Sequence, residues 1–232
     1  MSTALITGAS RGFGLALAHA LAERDWSLIV DGRDEESLRR AAAELGAGVA
    51  AIAGDVADPG HRSALVDAVD RTGTLDLLVN NASTLGRTPL PELARYPIDD
   101  LEQVLRVNVL APLALAQAVL PNLRSAGGAI VNVTSDAAVE AYEGWGGYGA
   151  SKAALDRISA VMGAEEPSVR VYAFDPGDMR TDMHQAAFPG EDISDRALPE
   201  DVVPALLRLL DDVPASGRYR ATDFPAAAGA RS

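Results

Sequence analysis

Tyr148 and Lys152 are the residues of this sequence whose types and spacing most directly suggest chemistry. They stand four residues apart in Tyr-Gly-Ala-Ser-Lys, a spacing that puts two side chains on one face of a helix. A phenol with a pKa of about 10 is a poor acid at neutral pH, and a nearby ammonium lowers that pKa because it stabilises the phenolate. The pair therefore predicts a tyrosine that donates a proton to a carbonyl oxygen.

Lys152 is also the only lysine among 20 lysine and arginine residues. Arginine would supply the same charge, but its planar guanidinium does not replace a compact ammonium that also hydrogen-bonds ribose hydroxyls. A chemical requirement at this position explains why one lysine is present in a chain that otherwise uses arginine.

Ser135 and Asn108 are two further candidates for the same site. Ser135 directly follows the apolar run 129–134, 13 residues before Tyr148, and ligands of open α/β sheets bind at the carboxyl ends of the strands. Asn108 is a polar residue within an apolar helical stretch, where it needs a partner. Either a water links it to Lys152 as a proton path, or it makes a kink or a helix–helix hydrogen bond; the sequence leaves both open.

A glycine cluster follows the first apolar run of the chain. Gly8, Gly12 and Gly14 are spaced as Gly-x3-Gly-x-Gly and lead directly into an apolar helical pattern. Glycine permits positive φ and a close approach of the backbone, so that the amides of a helix N-terminus can bind a pyrophosphate. The arrangement of strand, glycine turn and helix predicts a dinucleotide site.

The end of the second apolar run carries both residue types that read the adenosine ribose. Asp31 would bind the two ribose hydroxyls and favour NAD, whereas Arg33 would neutralise a 2′-phosphate and favour NADP. Arg11, inside the glycine turn, provides a second cation. Two arginines converging on one point in a chain of net charge -13 favour NADP, with NAD as the alternative.

Two of the nucleotide-side residues have structural alternatives. Arg33 could instead pair with Asp34 or Glu36 on the surface. Asp55 follows the third apolar run and could accept a hydrogen bond from the adenine amino group or cap the next helix. These alternatives stay open at the level of the sequence.

The elements that must position these residues alternate along the chain. Short, nearly continuous apolar runs predict strands buried on both faces of a parallel sheet, and amphipathic or apolar segments between them predict covering helices. Asp99 with Glu102 resembles a capping box at the start of the fourth helix. The predicted strands are Ala4–Thr7, Leu28–Val30, Val49–Ala53, Leu75–Asn80, Ala129–Thr134 and Val169–Phe174. The predicted helices are Gly12–Arg24, Asp34–Leu45, Pro59–Thr72, Asp99–Arg124, Tyr148–Glu165 and Glu200–Asp212.

This pattern predicts one doubly wound α/β domain over residues 1–224, followed by a flexible tail at 225–232. The stretch Gly177–Pro199 lacks periodicity and is too long for an ordinary connection, which indicates a mobile substrate loop. Met179, Met183 and Phe188 in this loop, with Trp145, either line an apolar substrate pocket or anchor the loop to the body.

Composition excludes several classes of function. The chain has 232 residues, a formal net charge of -13 and no cysteine; it is long enough for a sizeable core and would be repelled by nucleic acid and anionic lipid. No apolar stretch is expected to reach a membrane span, and the start of the chain has no signal-peptide pattern, so we expect a cytoplasmic protein. His19, His61 and His184 are scattered, which argues against a metal site; His184 either touches substrate or lies on the surface.

In combination these motifs resemble the short-chain dehydrogenase/reductase family, and the resemblance covers almost the whole chain. The motifs that carry it occur in order: Thr7-Gly8-x3-Gly12-x-Gly14, Asp55, Asn80-Asn81-Ala82, Asn108, Ser135, Tyr148-x3-Lys152 and Pro176-Gly177-x3-Thr181. The resemblance implies a Rossmann fold and a catalytic tetrad of Asn108, Ser135, Tyr148 and Lys152. The cofactor-binding residues it implies are Gly8, Ser10, Arg11, Gly12, Phe13, Gly14, Arg33, Asp55, Val56, Asn81, Ala82, Tyr148, Lys152, Pro176, Gly177 and Thr181.

The family resemblance further implies an NADPH-dependent reductase that converts a ketone or aldehyde into an alcohol. NAD-dependent alcohol oxidation and a non-catalytic dinucleotide-binding regulator are the alternatives. The helices around Val104–Val119 and Ala150–Met162 match those that form subunit contacts in the family, so we expect at least a homodimer. Two departures stand out: Ser83 replaces a family glycine, a change expected to leave proton transfer untouched, and the usual sequence after the last strand is missing at Gly217–Arg220.

Overall fold

The computed structural model describes residues 2–225 of the chain. Within this part, seven strands form one fully parallel sheet in the order β3-β2-β1-β4-β5-β6-β7. The strand order reverses next to β1, so that β1 and β4 diverge into opposite halves of the sheet. The strands are β1 Thr3–Ile6, β2 Ser27–Gly32, β3 Val49–Ala53, β4 Leu77–Asn80, β5 Ala129–Val133, β6 Arg170–Asp175 and β7 Gly217–Arg220.

Helices cover both faces of this sheet, which confirms the doubly wound architecture. Alternate strand residues enter different cores: Ile6 packs with Leu17 and Leu206 on one face, while Leu5 packs with Val119 on the other. Burial on both sides is why the inner strands β1, β4 and β5 are continuous apolar runs, whereas the edge strand β3 is apolar but partly exposed. The helices are α1 Gly12–Ala22, α2 Glu35–Leu45, α3 Pro59–Thr72, α4 Ile98–Leu105, α5 Ala111–Ala126, α6 Gly146–Glu165, α7 Asp182–Ala187 and α8 Pro199–Asp212.

The predicted long helix Asp99–Arg124 is present without a break, but it is not α-helical throughout. Residues Arg106–Leu110 form a π-helical turn between α4 and α5. The helix starts at Ile98 with Pro97 as its N-cap, and no side chain caps it. The predicted capping box of Asp99 and Glu102 is therefore wrong, because Asp99 already lies inside the first turn.

We expected no apolar stretch long enough to span a membrane, and the helix Ile98–Ala126 contradicts that expectation. By length and composition alone it is long and apolar enough to cross a bilayer, although half of its most apolar window is buried within the protein. Core helices of α/β domains have the same composition, because one side of them packs against the sheet.

Two elements were absent from the sequence prediction. Strand β7 extends the sheet beyond β6, and α7 forms inside the stretch predicted as an aperiodic loop, which is also joined by an isolated bridge between Met179 and Ala197. The predicted tail 225–232 lies outside the described residues from position 226 onward.

Candidate active site

A cavity of about 800 Å³ opens at the carboxyl edge of the sheet, where the strand order reverses. Its walls contain every residue that the sequence proposed for the site except Gly14 and Asn108. The predicted residues that line it are Gly8, Ser10, Arg11, Gly12, Phe13, Arg33, Asp55, Val56, Asn81, Ala82, Ser135, Tyr148, Lys152, Pro176, Gly177 and Thr181.

The glycine turn between β1 and α1 is closely packed against the end of β4. A Cβ on Gly14 would lie 2.5 Å from both Asn81 Nδ2 and the Gly8 carbonyl oxygen, and a Cβ on Gly8 would lie 2.9 Å from Ala82 Cα. Gly12 has φ +59° and a Cβ there would meet little, so its backbone conformation is what favours glycine. The turn leaves the first amides of α1 accessible, which is the geometry that binds a pyrophosphate.

Asp31 does not act as the free ribose acceptor that the NAD alternative requires. Its carboxylate is buried; Oδ1 accepts a hydrogen bond of 2.6 Å from the Gly8 amide, and Oδ2 lies 3.0 Å from His61 Nε2. Both oxygens are thus used to fix the glycine turn to β2 and α3. The observation removes the main argument for NAD.

Arg33 is exposed at the rim of the cavity and forms no hydrogen bond or ion pair with the described residues. Its alternative partners are occupied: Asp34 caps α2 by accepting from the Ser37 amide, and Glu36 pairs with Arg40. The surface-pair alternative for Arg33 is therefore wrong. A guanidinium that has no counter-charge among the described residues and lies beside the cavity can bind a phosphate group.

The second cation predicted for the 2′-phosphate is already paired. Arg11 Nη1 lies 3.1 Å from the Asp182 carboxylate at the start of α7, and both side chains are exposed. The pair joins the glycine turn to the substrate loop, so the two arginines are not equivalent in this structure.

Asp55 lines the cavity but does not cap α3. Its Oδ1 accepts from the Ala57 amide at 2.8 Å, while Asp58 is the N-cap and accepts from Gly60. The capping alternative for Asp55 is thus wrong, and the residue belongs to the cavity wall.

Tyr148 and Lys152 lie in the first two turns of α6, as their spacing predicts. Both are buried, and Lys152 Nζ lies 5.5 Å from the centre of the Tyr148 ring and donates to the Val133 carbonyl at 2.8 Å. Ser135 follows β5, and its hydroxyl lies close enough to the Tyr148 phenol to act against the rise in the pKa of that group. Strand β5 and helix α6 therefore bring these three side chains to one wall of the cavity.

The pKa values of this wall differ from the sequence expectation. Burial raises the pKa of Tyr148, and the hydroxyls of Ser135 and Ser83 only partly oppose that effect. Burial also lowers the pKa of Lys152 to about 8. The ammonium does not lower the phenol pKa as expected, because removal of both groups from water dominates.

Asn108 lies in the π-helical turn and is fully buried, and of its structural alternatives the helix–helix hydrogen bond is present. Its Oδ1 accepts from the Thr84 amide at 2.9 Å and from the Ser83 hydroxyl at 3.2 Å, and its Nδ2 donates to Ser151 of α6. The Ser83 hydroxyl donates to Asn108 and acts against the rise in the Tyr148 pKa, while its expected lack of effect on proton transfer stays a prediction. The proposed water link to Lys152 stays a prediction.

The substrate side of the cavity is apolar and aromatic. Trp145 lies 5.7 Å from Tyr148 and 5.8 Å from Phe188, measured between ring centres, and Met183 packs into the same cluster. His184 stacks on Phe188 at 4.9 Å, and all five side chains line the cavity. These side chains line the cavity and also pack α7 against the body of the protein. Both alternatives given for them by the sequence therefore apply.

Asp136 and Tyr142 were missed by sequence reasoning. The carboxylate of Asp136 accepts from the Ser135 hydroxyl and from the Tyr142 hydroxyl, each at 2.9 Å, and both residues line the cavity. The one available signal was adjacency to Ser135. Among the described residues, no group of three or more His, Asp or Glu side chains could hold a metal ion.

Comparison with known proteins identifies the class to which this fold and site belong. The family model described as short chain dehydrogenase matches residues 2–192. The chain therefore belongs to the short-chain dehydrogenase/reductase family and is an NAD(P)-dependent oxidoreductase.

Several characterised members are similar over most of their length. Sepiapterin reductase from Mus musculus is 36% identical over 199 residues, which cover 79% of this chain and 76% of that protein. Benzil reductase ((S)-benzoin forming) from Saccharomyces cerevisiae is 36% identical over 216 residues, covering 88% and 79%. A short chain dehydrogenase structure from Shigella flexneri, complexed with NADP, is 29% identical with a TM-score of 0.88, covering 95% and 97%.

Proposed function

We propose that the protein is an NADPH-dependent reductase that converts a ketone or aldehyde into an alcohol. The observation that carries the proposal is a single cavity with Ser135, Tyr148 and Lys152 on one wall and the unpaired Arg33 at its rim. The similarity to a structure complexed with NADP and to two reductases supports the choice of cofactor and direction.

The residues present fit a dinucleotide phosphate. The turn at Gly8–Gly14 has no room for side chains at its two ends and offers the amides of α1 to a pyrophosphate. Arg33 would bind the 2′-phosphate, and Asp55 and Val56 would border the adenine. Bound NADPH would supply the hydride that is added to the carbonyl carbon.

Tyr148 provides the proton for the carbonyl oxygen. The phenol is protonated at neutral pH and can therefore donate, but its raised pKa makes it a weaker acid, so proton transfer depends on stabilisation of the phenolate. Lys152, whose pKa is about 8, is mostly charged at neutral pH and stabilises the phenolate that forms. The Ser135 hydroxyl, now donating to Asp136, can turn to hold the carbonyl oxygen.

The substrate class follows from the wall opposite Ser135. Trp145, Met183 and Phe188 offer an apolar, aromatic surface close to Tyr148. Such a surface favours a carbonyl compound with a flat apolar substituent next to the reacting carbon. Reductases named for sepiapterin and benzil among the relatives agree with this class.

We also propose a homodimer at least, formed by the helices around Val104–Val119 and Ala150–Met162. Leu110 and Val161, one on each of these helices, are large apolar side chains that are about half exposed, at 57% and 45%. Burying such residues in a symmetric contact is the common solution. Light scattering at micromolar concentration checks this, and a monomeric mass would contradict it.

We further propose a cytoplasmic location, because the lack of cysteine in the sequence suits a reducing compartment. The net charge of -13 disfavours nucleic acid and anionic membrane surfaces as partners.

Cofactor oxidation followed at 340 nm tests the function. Benzil, butane-2,3-dione, benzaldehyde and hexanal should be offered with NADPH and, separately, with NADH. We expect NADPH-dependent reduction with the aromatic carbonyls preferred over the aliphatic ones. Tight NADPH binding without turnover of any carbonyl would favour the regulator alternative, and equal use of NADH would contradict the cofactor assignment.

A further inference from the structure

Arg218 lies on β7, the strand that sequence analysis missed, and its guanidinium points back to the active site. Nη2 donates to the Ser135 carbonyl at 3.0 Å and to the Asp175 carboxylate at 2.9 Å, while Nε donates to the Asp156 carboxylate at 3.0 Å. The side chain is about one quarter exposed. One residue of an edge strand thus contacts three other elements behind the cavity wall.

Each partner of Arg218 is joined to a residue that performs or surrounds the chemistry. Asp156 lies one helical turn after Lys152 on α6, and Asp175 ends β6 and accepts from the Gly177 amide at 3.0 Å. The third partner is the backbone of Ser135 itself. Arg218 therefore fixes the position of the serine, the lysine helix and the Pro176-Gly177 turn relative to one another.

The carboxylates that contact Arg218 also affect the protonation of Lys152 and Tyr148. Asp156 favours the charged form of Lys152, and Asp175 and Asp136 disfavour ionisation of Tyr148. Asp156 and Asp175 share one cation, Arg218, which contacts Oδ2 of each, and Asp156 Oδ1 is buried without a hydrogen-bond partner in the described part of the chain. Removal of Arg218 would leave both nearly buried carboxylates without the cation that hydrogen-bonds to them.

We propose that Arg218 is a positioning residue of the active site, which holds the Ser135 backbone and offsets the charges of Asp156 and Asp175 behind Tyr148 and Lys152. The inference rests on the proposed reductase activity for its kinetic consequence only. Its electrostatic consequence at Lys152 can be measured without turnover.

The single lysine of the sequence makes that measurement direct. Protein labelled with 13C-lysine gives one lysine side-chain NMR signal, whose titration reports the pKa of Lys152. In Arg218→Met the two carboxylates lose their cation, so the ammonium is favoured and the midpoint should move up by roughly half a pH unit or more. In Arg218→Met combined with Asp156→Asn, the midpoint should return toward that of the unsubstituted protein.

Two further variants keep the test decisive. Arg124→Met breaks a two-contact pair with Glu166 at the far ends of α5 and α6, so it controls for general loss of an arginine and should leave the Lys152 midpoint unchanged. Should Arg218→Met fail to fold, Asp156→Asn alone should lower the midpoint, because it removes the charge that favours the ammonium. An unchanged Lys152 midpoint in either informative variant would overturn the proposal, whether or not the enzyme reduces any carbonyl tested.

The kinetic readout separates positioning from simple stability. With an active enzyme, Arg218→Met should lower kcat by about tenfold while the Kd for NADPH changes less than threefold, and Arg218→Lys should recover part of the loss. Equal loss of kcat and thermal stability in Arg218→Met and Arg124→Met would show a merely structural role. Absence of turnover in the unsubstituted protein would contradict the proposed function and leave the Lys152 titration to decide the role of Arg218.

Discussion

The two ends of the cavity differ in how deeply their functional side chains are buried and in how those side chains are held. At the catalytic end, Tyr148 and Lys152 are buried and have fixed neighbours. At the end proposed for the ribose, Arg33 and Arg11 are exposed; Arg33 has no partner among residues 2–225, and Arg11 is in a surface pair. The first end works through positions set by the fold, and the second through charges that water and salt screen. Substitutions should therefore have large effects at the first end and graded effects at the second.

The largest effect is expected for Tyr148→Phe. It removes the proton donor while the ring keeps its contact with Trp145, so kcat should fall by about 10²- to 10⁴-fold, the contribution of a general acid. The Kd for NADPH, measured by fluorescence, should stay within a few-fold of its original value and serves as the control for folding. Retention of more than a tenth of kcat would contradict the role of Tyr148.

A second large effect concerns pH. Lys152 has a pKa lowered to about 8, so it loses its charge as pH rises through that value, while the raised pKa of Tyr148 keeps the phenol protonated. The value of kcat/KM for reduction should therefore fall above about pH 8 in the free enzyme. Lys152→Arg, which does not titrate in this range, should show lower activity without this limb. The same limb in the arginine variant would assign the titration to another group.

Arg33→Ala should have an intermediate effect that depends on the cofactor. Loss of one charge-assisted contact is worth ~1.5 to 3 kcal/mol, so the Kd for NADPH should rise by roughly 10- to 150-fold, and that for NADH by less than twofold. Arg40→Ala, an exposed arginine on α2 already paired with Glu36, is the matched control. Equal losses for both cofactors would remove the 2′-phosphate assignment.

The smallest effect is expected at the pair of Arg11 and Asp182. Both side chains are exposed, and such pairs contribute about 0 to 1 kcal/mol. Asp182→Asn frees Arg11, so NADPH should bind roughly two- to fivefold more tightly at low salt, with the gain lost at high salt. Weaker binding in this variant would show that the pair supports the site rather than competing with it.

The fold was predictable where the sequence carries a strong local signal. Val49–Ala53 and Pro59–Thr72 have the predicted bounds, because an apolar run and an N-terminal proline are local signals. Strand β7 escaped prediction because Gly217–Arg220 is an edge strand with half-exposed polar residues. The π-helical turn likewise has no periodicity of its own.

The site was predictable where chemistry depends on local spacing. Tyr148 and Lys152 are placed by a single helix. Asp31 was misinterpreted because the direction of a side chain at a strand end depends on its partners, here Gly8 and His61. Arg218 was not singled out because its contacts join residues 43 to 83 positions apart.

The π-helical turn at Arg106–Leu110 also constrains how the length of this chain can vary. Such a turn contains one residue more than an α-helical turn. Deleting one residue there would restore a regular helix but rotate Ile98–Leu105 by about 100° about the helix axis relative to Ala111–Ala126. The fully buried Val104 would then leave its place in the core. Insertions and deletions that separate related sequences should accordingly avoid this turn, whereas we expect single substitutions at its exposed positions to be tolerated.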